Sequence, residues 1–214
     1  EIVALERHSR GADQGYTQQD VRELARCFTG WFYVGEDDPA NFGRFRFEVE
    51  SHDQERKRVL GTLIPLNGGV RDAETIVDLL GRHPNTAKYI ARKLLIYFWG
   101  YEPPITYVNQ VAAVYRQTGG DIKAMLRAIL KQRWIEAAKP KLKRPFHYVV
   151  SAVRALYGQA DNPSYLYDAL SDAGHVPYYW SPPNGYPDNR QYWSGFLRNR
   201  WNFALELSSG ETGI

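Results

Sequence analysis

The chain has 214 residues, of which 43% are hydrophobic and 24% charged, with a formal net charge of +3. These values belong to a folded globular chain able to bury its own core, and the mild charge excludes nucleic acid as an expected partner unless it is focused into a patch. The one cysteine, Cys27, excludes an internal disulfide scaffold, and no apolar run approaches the ~20 residues that span a bilayer, Leu94 to Trp99 being the nearest.

Residues Glu1 to His8 have neither the basic start nor the long apolar stretch of a signal peptide and read like the middle of a helix. The length points to a single domain, and this start is expected to belong to a fragment, or a processed product, of a longer chain. From Thr17 to Phe28, Val21, Leu24, Ala25 and Phe28 share one helical face, and Thr17 with Asp20 has the pattern of a capped start. The period then changes. Arg44 to Glu50 alternates polar and apolar as a half-buried strand does, Trp31 to Val34 can pair with it across the loop 35–43, and Val59 to Ile64 can add a third strand.

Helices resume at Asp72 to Leu80. His83-Pro84 opens the next, with the apolar stripe Ala87, Ile90, Ala91, Leu94, Leu95, Phe98 and Trp99. Ile105 to Thr118 and a helix capped by Asp121, with Ile122, Met125, Leu126, Ile129 and Leu130 inward, follow. A basic loop, 139–145, leads into a helix burying Phe146, Val149, Val150, Val153 and Leu156. A shorter helix near Ser164 to Ala173, the aromatic loop Val176 to Asp188 and a last helix Gln191 to Leu207 complete the chain. The fold expected is mainly α, an irregular bundle of about seven helices with a small β-hairpin or three-strand excursion near residues 31–64.

Several strings occur in one order: Gly15-Tyr16-Thr17-Gln18-Gln19-Asp20-Val21, Phe28-Thr29-Gly30-Trp31, His52-Asp53, His83-Pro84, and Pro182-Pro183-Asn184-Gly185-Tyr186-Pro187-Asp188. Supporting segments are Ala91-Arg92-Lys93-Leu94, Lys143-Arg144-Pro145-Phe146 and Trp201-Asn202-Phe203-Ala204. With these, the chain resembles the bacterial domain-of-unknown-function 1800 family, over essentially all of its length but only the C-terminal half or so of the family. The resemblance implies a further N-terminal helical region, frequent export and so an exported or periplasmic location, and a sulfatase-like family as a frequent neighbour; it carries no settled activity. The family tends to have Leu-His-Thr-Leu-Gly where this chain has Arg7-His8-Ser9-Arg10-Gly11, which makes that segment more polar.

Four groups of residues could carry function. Glu6, His8, His52 and Asp53 are of the types that hold a divalent metal, with His8, His52 and Asp53 the ligands of choice. The alternative is that His8 caps a helix and His52-Asp53 forms a polar turn, and adjacent residues of an extended segment point to opposite sides. Cys27 beside a buried face is expected to be an inert thiol, and no Gly-x-Ser-x-Gly elbow or phosphate loop is present. The basic loop, through Lys141, Lys143 and Arg144, could meet an acidic polymer or serve as a solvated connector. The Pro-rich aromatic loop and the residues after it, through Tyr178, Tyr179, Trp180, Tyr186 and Trp193, could present rings to a polysaccharide or a partner protein, or fold over the bundle and complete its core. Two functional classes follow: a binding or assembly module for an extracellular polymer or partner protein, the absent N-terminal region among such partners, or a metal-assisted hydrolase near His8 and His52.

Overall fold

Thr17 begins the first helix, α1 (Gln18–Cys27), by the reciprocal bonding its sequence foretells. Its hydroxyl accepts the Asp20 amide at 3.2 Å while the Asp20 carboxylate accepts the Thr17 amide at 2.7 Å. The computed structural model describes residues 15–158 and 163–210, so His8 and Glu6 lie outside the described residues. Among the described residues there are ten α-helices and two separate two-stranded antiparallel sheets. The mainly α fold with a small β excursion is thus present.

The chain divides into two units. The first takes residues up to Lys93 and Ile105–Ala128, the second Leu94–Pro104 and the residues from Ile129 on. No composition break marks these limits, since the chain crosses from one unit to the other inside α3 (Pro84–Phe98).

In the first unit, β1 (Trp31–Tyr33) pairs with β2 (Phe45–Phe47), Trp31 opposite Phe47 and Tyr33 opposite Phe45. The hairpin base is closed by Gly30 at φ +79°, where an added Cβ would sit 2.6 Å from the Glu48 carbonyl oxygen. The expected third strand is instead a hairpin of its own, β3 (Lys57–Val59) with β4 (Thr62–Ile64). Leu60 and Gly61 turn it, both at positive φ (49° and 78°), as the two-residue turns matched to strand twist require. A leucine is an unusual occupant of that conformation, which is why Val59 to Ile64 reads as one strand.

Cys27, Val59, Ile64, Ile76 and Leu80 form the core between α1, this hairpin and α2 (Val70–Arg82). The polar side of α1 fastens the same hairpin: Asp20 accepts the Leu60 amide at 2.7 Å and Glu23 the Arg58 amide at 2.9 Å. α4 (Ile105–Thr118) and α5 (Ile122–Ile129) complete this unit, burying Val108, Val111, Ala112 and Met125.

The second unit contains α6 (Gln132–Glu136), α7 (Pro145–Ala155), α8 (Pro163–Asp172), α9 (Arg190–Ser194) and α10 (Leu197–Ser209). Val149, Leu170, Val176 and Phe203 form its core, drawn from α7, α8, the aromatic loop and α10. The last helix expected from the sequence is two, interrupted at Gly195–Phe196. Val150, Leu156 and Phe98, expected inward, are exposed, because α7 and α3 are each covered along a narrower stripe than their apolar residues span. Among the described residues no helix is long and apolar enough to cross a membrane.

Candidate binding surface

The first unit holds a buried polar network. Lys57, with a fully buried side chain, places its ammonium 2.7 Å from Asp72 Oδ2 and also donates to the carbonyls of Asp53 and Glu55. His52 lies on the other side of Asp72, Nε2 3.3 Å from the same carboxylate oxygen and Nδ1 2.8 Å from the Thr29 carbonyl. Asp53 turns the opposite way, as adjacent extended residues do, and meets Arg26 at 2.7 Å. That guanidinium holds the Asp53 carboxyl down at about 2.

His52 and Asp53 therefore already have protein partners, which would have to give way for either to take up a metal. Among the described residues no three His, Cys, Asp or Glu side chains gather as a metal-binding group. Cys27 is buried beside the network, and burial pushes its thiol up to about 11, the state of an unreactive packed cysteine. A cleft of about 430 Å³ opens between α1 and the second hairpin, yet its carboxylates, Asp20 and Glu23, are spent on the hairpin amides.

The second unit sorts the aromatic residues into two sets. One set faces inward around His175. Its ring lies 4.5 Å from Tyr186 and 4.7 Å from Trp193, and the Trp180 ring lies tilted against Tyr186 at 4.9 Å. Trp193 is 0% exposed and donates its indole N–H to the Pro187 carbonyl at 2.6 Å, while the Tyr186 hydroxyl donates to the Val176 carbonyl at 2.7 Å. His175 and Trp193 are buried in the core, so Trp193 is not among the presented rings, while Tyr186 and Trp180 lie half-buried against them. His175 Nδ1 accepts the Phe146 amide at 3.1 Å and so satisfies a donor in the first turn of α7. Burial, and then the charge of Arg144, pushes the His175 imidazole down to about 4.

The other set faces out. Tyr178 is fully exposed at 103% and Tyr179 at 72%, and Tyr167 of α8 lies against Tyr179. The Tyr179 side chain raises the Tyr167 phenol above its usual range through their hydrogen-bonding contact. Tyr178 has φ +67°, a conformation that bulky L-residues avoid.

The basic connector is pinned, not loosely solvated. Lys141 donates to the carbonyl of Ile96 at 2.6 Å, at the end of α3, and to Asp188 at 2.8 Å. Burial lowers its ammonium pKa, with Asp188 opposing. Tyr101 donates to the Leu142 carbonyl at 3.0 Å and Arg200 to the Lys143 carbonyl at 2.7 Å. Lys143 reaches the Ser151 hydroxyl at 2.9 Å, and the Arg144 guanidinium lies 5.7 Å over the Tyr97 ring. Tyr97, Lys141, Leu142, Lys143, Arg144 and His147 line a cleft of about 210 Å³.

The family model described as "Protein of unknown function (DUF1800)" matches residues 4–212. The chain belongs to that family. No curated protein and no solved structure matches it. This DUF1800 chain thus presents two features together in its second unit, an outward tyrosine pair and a basic cleft. Tyr97, His147 and Tyr167 belong to these sites without a signal in the sequence, because each sits on a helix whose local pattern reads as ordinary packing.

Proposed function

We propose that this chain is a binding module whose aromatic loop docks a polysaccharide, with Tyr178 and Tyr179 as the contact rings and Tyr167 as their neighbour. The observation that carries this reading is Tyr178, a fully exposed aromatic side chain held on a backbone of positive φ. Such a conformation costs on the order of 1 kcal/mol or more and persists only where surrounding structure enforces it, commonly at functional positions. Here the enforcement comes from the inward rings and the Tyr186 bond to Val176, which hold the loop so that the next residues point to solvent. Flat rings with a polar edge suit the apolar faces of sugars, and a rigid platform loses little conformational entropy on binding. Binding rather than turnover is favoured because His52, Asp53 and Cys27 are engaged or buried.

The test is affinity electrophoresis of the whole chain through gels containing soluble polysaccharides of graded composition, extracellular bacterial polymers included. Retardation by at least one polymer is expected, with Tyr178→Ala and Tyr179→Ala each weakening it about tenfold or more. Both variants migrating as the parent protein does, or no retardation by any polymer, would refute the reading.

A further inference from the structure

We infer that the cleft between Tyr97, Lys143, Arg144 and His147 binds an oxyanion carried on a sugar ring, a carboxylate or a sulfate ester. This rests on the polysaccharide reading and names the chemical class of polymer.

Charge is the first argument. The cleft and its rim carry three permanent cations, and the nearby acid, Asp188, is paired with Lys141 at 2.8 Å. Lys143 meets only a neutral hydroxyl, that of Ser151, and Arg144 has no carboxylate partner among the described residues. Two positive charges on one turn of backbone are thus left uncompensated, and an exogenous anion is the natural complement. The first turn of α7, which carries His147, adds the positive end of its helix dipole.

Preorganisation is the second argument. The connector is tied at Leu142 by Tyr101 and at Lys143 by Arg200, so these cations are displayed by a fixed backbone. Arg144 rests over the Tyr97 ring, which orients its planar fork without consuming its N–H donors. Tyr97, 47% exposed, supplies an apolar wall against which a ring bearing the anion can lie. His147 is the third. Burial, then Arg144 and Lys141, and more weakly Lys143, lower its pKa, with Asp188 opposing. An anion bound beside it reverses part of that effect, which makes the imidazole a reporter of occupancy.

The probe is galacturonate, followed by NMR through the His147 ring in the whole chain, with galactose as the neutral control and inorganic sulfate as the second anion. Galacturonate is expected to shift the ring signals, raise the His147 pKa, and bind about tenfold or more weakly in Arg144→Gln or when salt rises from about 0.1 M to about 0.5 M. Sulfate matching galacturonate points to sulfate esters as well as uronates; sulfate without effect restricts the site to carboxylates. Galactose acting as galacturonate does, or Arg144→Gln binding galacturonate unchanged, overturns the inference. Should Arg144→Gln fold poorly, Lys143→Gln, at an exposed position, provides the same comparison. In a second arm, polygalacturonate is compared with its methyl ester. The ester binding as tightly as the acid overturns the oxyanion site. Tyr178→Ala binding both polymers as the parent protein does overturns the aromatic platform alone.

Discussion

Acidification should weaken this protein through one histidine. His175 is 6% exposed, its Nδ1 accepts the Phe146 amide at 3.1 Å, and Trp193 and Tyr186 enclose its ring within 5 Å. Gaining a proton there removes the acceptor of the Phe146 amide and places a cation near Arg144. The folded pKa of about 4 against an ordinary 6.5 means that the unfolded chain binds the proton first as pH falls. The contribution is fully present above about pH 6.5 and is lost as pH falls from there to about 4. A shift of about 2.5 pH units corresponds to about 3 kcal/mol, a large part of a typical domain's stability. The assay is urea denaturation at a series of pH values from 7 to 4, for the parent chain and for His175→Asn, whose amide oxygen can replace Nδ1 as acceptor and does not titrate. The variant should be less stable at pH 7, having lost the ring, yet lose about 3 kcal/mol less on acidification. Parallel pH profiles for the two proteins, or an NMR titration in which His175 protonates near 6.5, would refute the reasoning.

The two aromatic sets should respond oppositely. Trp193→Ala should cost about 3–5 kcal/mol in urea denaturation, while Tyr178→Asn, which suits positive φ, should hold stability or gain up to about 1 kcal/mol while losing polymer binding. Gly68→Ala should destabilise by about 2 kcal/mol or more, since the new Cβ would lie 1.9 Å from Asp72 Oδ1. Gly81→Ala, with open space inside α2, should instead stabilise by about 1 kcal/mol, and thermal melts of the pair check the contrast. Lys57→Met should cost about 3–5 kcal/mol by stranding the buried Asp72 carboxylate, and adding Asp72→Asn should recover part of it; a single variant within about 0.5 kcal/mol of the parent would show that the pair is dispensable.

The helices were legible because their apolar period is strong and their starts are signalled: Thr17 with Asp20, Pro84, and Pro145 all begin helices where the sequence places them. The second hairpin was not, because Leu60 adopts a turn conformation that its residue type does not advertise. Nor was the buried cluster of His52, Lys57 and Asp72, whose members are brought together only by the packing of α2 against the hairpins. In the aromatic loop and the one-turn helix after it, periodicity offers no guide, so inward Trp193 and outward Tyr178 look alike as sequence. Tertiary bonds decide: Trp193 is held in by the Pro187 carbonyl and Tyr186 by the Val176 carbonyl, and Tyr178 is left outside. The basic loop was visible as charge, but its fixed geometry was not: the ties come from Tyr101 and Arg200, 41 and 57 residues distant from the carbonyls they hold.

The pinned connector also bears on how the chain meets proteases. A stretch with lysine or arginine at positions 139, 141, 143 and 144 is, on composition alone, an obvious target for trypsin-like proteases. Yet Lys139 and Arg144 are each followed by proline, which such enzymes do not cut before, and the Lys141 ammonium is held by α3 and Asp188 where a protease specificity pocket would need it. That leaves the bond after Lys143, whose carbonyl is gripped by Arg200. A segment that looks like the most cleavable part of the chain is therefore built to resist digestion while keeping its charge.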